Sequence, residues 1–197
     1  MMMKLYKTCL CLGLAFLGLL SFIPSGCCSD RPEGGGLADF SAPNAPKVIS
    51  SDNIKKFYLK FKYRGNIAKS SDGNALPPLP AGVYLLEAER KGDKAHFLLS
   101  CDRQGTTNPL VFQKDLPAEA MLDLQKIIRK YNLPAINGSN LRNSALGTSL
   151  RFLVLYDTDE KITVYAEGGA STLPHGWCGT SVFLEFFLDK IDTEGLL

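Results

Sequence analysis

The chain has 197 residues with 22 basic and 20 acidic side chains, and without Lys4 and Lys7 the two signs balance. Proteins that bind nucleic acid concentrate a basic surplus on one face, and the absence of any surplus argues against nucleic acid as a partner. The length suits one globular domain with short flanking segments.

Lys4 and Lys7 precede a Leu-rich run over residues 8–23 that carries no charge, and Ser25-Gly26 then leads into Cys27-Cys28. A basic start, an apolar stretch and small residues before a cut are the parts of an export signal, here assigned to residues 1–26. The apolar run is shorter than the roughly 20 residues that cross a bilayer, and Pro24 ends it. The residues alone leave a plainly cleaved signal and an uncleaved anchor open beside lipidation. The stretch Ile23-Pro24-Ser25-Gly26-Cys27 resembles a bacterial lipobox, in which two small residues precede an acylated cysteine. Pro24 takes the place usually held by an aliphatic residue. The resemblance implies an exported lipoprotein whose mature chain starts at Cys27, held to the cell membrane or outer membrane by its acyl chains. Each buried methylene contributes about 0.8 kcal/mol, so two or three chains hold where one does not.

Residues 27–53 contain Gly34-Gly35-Gly36, three prolines and several serines, with no apolar period. They are expected to form a flexible tether reaching about 25–30 Å. Residues 54–197 are expected to form a single domain.

Within that domain Phe57, Leu59, Phe61 and Tyr63 alternate with Lys56, Tyr58, Lys60, Lys62 and Arg64, which predicts a half-buried strand over 54–64. Its row of four cations fits either a contact with anionic lipid or cell-wall polymer, or a solvated edge guarded by lysine. A long loop runs from Gly65 to Gly82, with extended geometry at Leu76-Pro77-Pro78-Leu79-Pro80. Residues 83–90 and 94–101 predict a hairpin turning at Lys91-Gly92-Asp93, and its alternation places His96 and Cys101 on opposite faces. A helix is predicted over 117–131, where Leu124, Ile127, Ile128 and Tyr131 share one side. Asn137-Gly138-Ser139-Asn140 reads as a turn, and its first three residues fit a glycan acceptor in a eukaryotic secretory route. Residues 150–157 and 161–167 form a second hairpin; its Asp157-Thr158-Asp159 turn lacks the glycine and glutamate of a calcium loop. A last, almost wholly apolar helix is predicted over 180–191.

These elements predict an α+β domain: an antiparallel sheet of about five strands built from hairpins, with two helices packed on one face. Residues 112–191 resemble small domains of bacterial secreted proteins and lipoproteins, a resemblance that transfers no functional residue.

Two chemistries compete at the remaining cysteines. In an oxidising compartment Cys101 and Cys178 are the natural disulfide pair, worth about 4.5 kcal/mol in the chain-entropy model. Alternatively Cys178, three residues after His175 and ahead of a helix, serves as the thiolate of a thiol-dependent enzyme. His175 lacks an acid or amide partner in the sequence, two ligands are too few for zinc, and no cofactor motif is present. The favoured expectation is a non-enzymatic envelope module that binds a protein, polymer or small ligand, with the membrane as its second partner through the anchor.

Overall fold

The alternation predicted for residues 54–64 is realised as β2, Ile54–Tyr63, whose Phe57, Leu59 and Phe61 are buried. The computed structural model describes residues 38–63, 79–103, 105–143, 149–168, 173, 179–194 and 196. In chain order the strands are β1 (Ala38–Asp39), β2, β3 (Gly82–Lys91), β4 (Lys94–Arg103), β5 (Leu110–Pro117), β6 (Asn140–Arg142), β7 (Ser149–Tyr156) and β8 (Lys161–Glu167). The helices are α1 (Ala120–Lys130) and α2 (Gly179–Lys190), with a 3₁₀ turn over Leu133–Ile136.

All eight strands join one sheet in the order β1-β6-β8-β7-β2-β3-β4-β5. The α+β class therefore holds, but the expected five-stranded antiparallel sheet does not: the described residues form eight strands, and β6 pairs parallel to β8. The two predicted hairpins form, as β3–β4 and β7–β8, and β2 lies between them, antiparallel to both β3 and β7. The additional strands are all at the margins. β5 closes the β4 side, where it is exposed along most of its length. β6 and β1 extend the β8 side with three and two residues.

Residues 38–53, read from the sequence within the tether, are tied to the sheet in the structure. β1 pairs with β6, the Phe40 N–H donates to Asn140 O at 2.8 Å, and Ile49 reaches the core. Prolines and serines hid this because the segment binds by backbone and side-chain hydrogen bonds instead of an apolar face. Residues 27–37 lie outside the described residues.

One face of the sheet carries the core. Phe57 sits at its centre, with ring centroids of Phe183, Phe187 and Phe152 at 4.7, 5.7 and 5.8 Å. Each such aromatic pair contributes about 0.5–1.5 kcal/mol beyond simple burial. The predicted helix over 117–131 shortens to α1, since Pro117 closes β5 instead. Its Met121, Leu124, Gln125 and Ile128 are buried at helical spacing, and Asp123 in the first turn and Arg129 and Lys130 in the last suit the helix dipole. Gln125 is polar but satisfied: its Oε1 accepts from Tyr156 Oη at 2.9 Å, and its Nε2 donates to Ser51 O at 3.3 Å. α2 agrees with the expectation for 180–191, burying Val182, Phe183, Leu184 and Phe187. No described helix is long and apolar enough to cross a membrane.

The opposite face is built from the alternate positions of the same strands and is open to solvent. Across it run Lys60, Arg151, Tyr165 and Asn140, each opposite the next on β2, β7, β8 and β6.

Candidate binding groove on the open sheet face

Strand pairing at the β8 side brings together side chains from four separate stretches of sequence. Phe40 follows β1, Asn140 and Arg142 lie on β6, Arg151 and Leu153 on β7, and Thr163 and Tyr165 on β8. They line a groove of about 600 Å³ that also reaches Gly138 and Ser139. This volume falls within the roughly 300–1,000 Å³ of small-ligand sites.

Phe40 is 59% exposed, an unusual position for a large apolar ring. Its partner is a cation: the Arg142 guanidinium lies 5.0 Å from the Phe40 ring centre and 5.7 Å from that of Tyr165. The two rings thus hold the guanidinium by cation–π attraction, and its Nε makes one long bond to Asn140 Oδ1 at 3.4 Å. Arg151 sits 5.9 Å from the ring of Tyr58 on β2. Neither guanidinium forms an ion pair among the described residues. Arg151 instead faces Lys60 directly across the β2–β7 ladder. Like charges so placed weaken a sheet by roughly 0.2–1 kcal/mol, an arrangement that packing alone does not favour. Tyr165 donates its hydroxyl to Glu167 Oε1 at 3.0 Å, and burial together with that carboxylate holds its phenol above the ordinary value. It remains a neutral donor over the physiological range.

The groove wall is fixed by Asn137, which is 2% exposed. Its Nδ2 donates to Pro46 O at 2.8 Å and to Lys161 O at 3.0 Å, while its Oδ1 accepts from the Thr163 N–H at 2.8 Å. A buried amide with both ends engaged is unavailable to a glycan, so the Asn137-Gly138-Ser139 motif is structural in this fold.

The residues singled out from sequence fall elsewhere. Cys27, His175 and Cys178 lie outside the described residues, as does Arg64. Cys101 is fully buried on the core face opposite Tyr84, whereas His96 is on the open face, where its Nδ1 meets Asp115 Oδ1 at 2.8 Å. That bond lowers the Asp115 pKa and pins β5 to β4. Among the described residues no three His, Cys, Asp or Glu side chains gather as a metal site. Lys56, Lys60 and Lys62 lie on the open face as expected, and Lys56 faces Glu89. Arg142, Arg151, Tyr165 and Phe40 were not singled out. The alternation of the second hairpin does put Arg151 opposite to the buried set, but nothing local indicates that β6 and β1 dock beside it.

The chain matches no protein-family model, and no curated protein matches it.

Proposed function

We propose that this chain is an exported lipoprotein, anchored through Cys27, whose domain is a non-enzymatic binding module of the bacterial cell envelope, and that the groove on the open sheet face is its ligand site. The observation that carries the binding site is the pair Arg142 and Arg151, two guanidinium groups at a groove with no carboxylate paired to either among the described residues. Arginine is suited to such a site because its planar fork bonds oxyanions in a bidentate manner. A ligand that carries negative charge is therefore the expected occupant. The basic, apolar leader ending in Ser25-Gly26-Cys27 supports the anchor.

Mass spectrometry of the processed protein tests the anchor: a first residue Cys27 bearing acyl mass is expected, and an unmodified terminus elsewhere overturns it. Binding of the full chain in detergent to a carboxylate-bearing resin tests the groove. Replacing Arg142 and Arg151 together by Gln is expected to reduce retention well beyond a control of equal charge, Lys94→Gln with Lys114→Gln. Equal loss in both would reduce the groove to general surface charge.

A further inference from the structure

Resting on the reading of the groove as an anion site, we infer that its ligand is an acidic saccharide, a short run of sugar rings bearing carboxylate of the uronate kind. Three features of the groove point to this chemistry. The first is charge. Arg142 and Arg151 line the groove, and Lys60 faces Arg151 from β2 at its border. The Arg142 guanidinium, two residues along β6 from the Asn140 that faces Tyr165, lies 5.7 Å from the Tyr165 ring. Three cations are thus spread across β2, β7 and β6. From β2 to β6, four strands at about 4.8 Å spacing extend that spread over roughly 15 Å, the shape of an extended ligand more than of a single ion.

The second is hydroxyl recognition. Among the described residues no hydrogen bond engages the Thr163 hydroxyl or the Asn140 side-chain amide nitrogen, although both residues line the groove. A hydroxyl and an amide offer donors and acceptors of the sort that pair with sugar hydroxyls. The third is apolar surface at the two sides of the groove, the exposed Phe40 ring at the β1 edge and Leu153 on β7, against which the C–H face of a sugar ring can lie. A lone phosphate would use the cations but leave these polar and apolar surfaces unfilled. The carboxylate of the ligand bonds Arg142 and Arg151 and relieves the repulsion between Arg151 and Lys60; no covalent step takes place.

Calorimetric titration of the full chain in detergent, with trigalacturonate, neutral galactotriose and glycerol 3-phosphate as separate probes, tests the inference. Trigalacturonate is expected to bind at least tenfold more tightly than either of the others, the gain of one or more charge-assisted hydrogen bonds. Arg142→Gln is expected to cost about tenfold, and Arg142→Lys, which keeps the charge but not the fork, roughly fivefold. An unchanged melting temperature in Arg142→Lys shows that the fold is intact. Glycerol 3-phosphate binding as tightly as trigalacturonate, with loss in Arg142→Gln, overturns the saccharide and leaves the anion site standing. Binding of any probe that is indifferent to both Arg142 and Arg151, or no binding of all three, overturns both.

Discussion

Asn137 and Thr163 are joined as if the first were an additional strand residue: the Thr163 N–H donates to Asn137 Oδ1 at 2.8 Å, and Thr163 O accepts from the Gly138 N–H at 2.8 Å. A side chain thereby stands in for a backbone carbonyl at the margin of β8, and Pro46 and Lys161 carbonyls take up its amide protons. This junction fastens residues 38–48 to the sheet and with them the Phe40 wall of the groove.

Asn137→Ala is expected to destabilise the domain by about 3 kcal/mol, because it strands a buried N–H and two carbonyls that each cost roughly 1–3 kcal/mol when left unpaired. Urea denaturation measures it. A loss below about 1 kcal/mol would mean that water enters and replaces the amide.

Gly138 is constrained beside it. Its φ of +82° is left-handed, and an added Cβ would meet Ala45 Cβ at 2.5 Å and Ala42 O at 2.7 Å. Gly138→Ala must therefore both strain the backbone and push the 42–45 turn away, with an expected loss of about 2 kcal/mol or more. The same shift moves Phe40 from Arg142, so ligand binding should weaken along with stability. A variant as stable as the parent, read by thermal unfolding, would contradict the close packing.

Glu160 performs a similar task in the β7–β8 turn. Its carboxylate accepts from the N–H groups of Ser50 and Ser51 and from the hydroxyls of Ser50 and Thr158, all at 2.8–2.9 Å. These bonds, those from the Ser50 and Ser51 backbone first, lower its pKa to about 2 from 4.5. A depressed carboxylate stabilises the folded form fully above the unfolded value, and the contribution disappears as pH falls from about 4.5 to about 2. Hydrogen exchange at the Ser50 and Ser51 amides should accelerate through that window beyond the intrinsic pH trend. In Glu160→Gln the added acid sensitivity should vanish. Protection that stays constant down to pH 2 would exclude the clamp.

The second hairpin and β2 were legible because buried and exposed side chains alternate strictly, as in Leu150, Phe152, Val154 and Tyr156 against Arg151, Leu153 and Leu155. α1 was legible for the same reason at helical spacing. β5 was not, since an edge strand with Gln113, Lys114 and Asp115 exposed in succession lacks a period of two. β1 and β6 are too short to have a period at all. The groove inherits that obscurity. Arg142 meets Tyr165 only because β6 pairs parallel to β8, a long-range choice that turn residues near Asn137 do not announce.

Tyr156→Phe isolates the polar contact under α1. It removes the donor to Gln125 Oε1 in a buried setting and leaves the Gln125 Nε2 bond to Ser51 O in place. One unpaired buried acceptor costs about 1–2 kcal/mol, which chemical denaturation resolves. The double variant Tyr156→Phe with Gln125→Leu should recover part of that loss, since replacing both polar partners removes the unpaired group. If the double variant loses the sum of the two single changes, the residues act independently and the bond contributes nothing.

Lys60→Glu separates stability from binding. Lys60 and Arg151 are opposite one another in the β2–β7 ladder, and both are exposed on the open face. Reversing one charge converts a repulsive cross-strand pair into an attractive one, with an expected gain of about 0.5 kcal/mol at low salt. The gain should shrink as ionic strength rises and the pair is screened. The same substitution places a carboxylate beside Arg151, where an anionic ligand would otherwise bind, so affinity for trigalacturonate should fall. Stability and binding moving in opposite directions is the outcome expected of cations kept for a ligand. If Lys60→Glu lowers stability in urea titrations at low salt, the repulsion is not felt, and these charges are an ordinary solvated face.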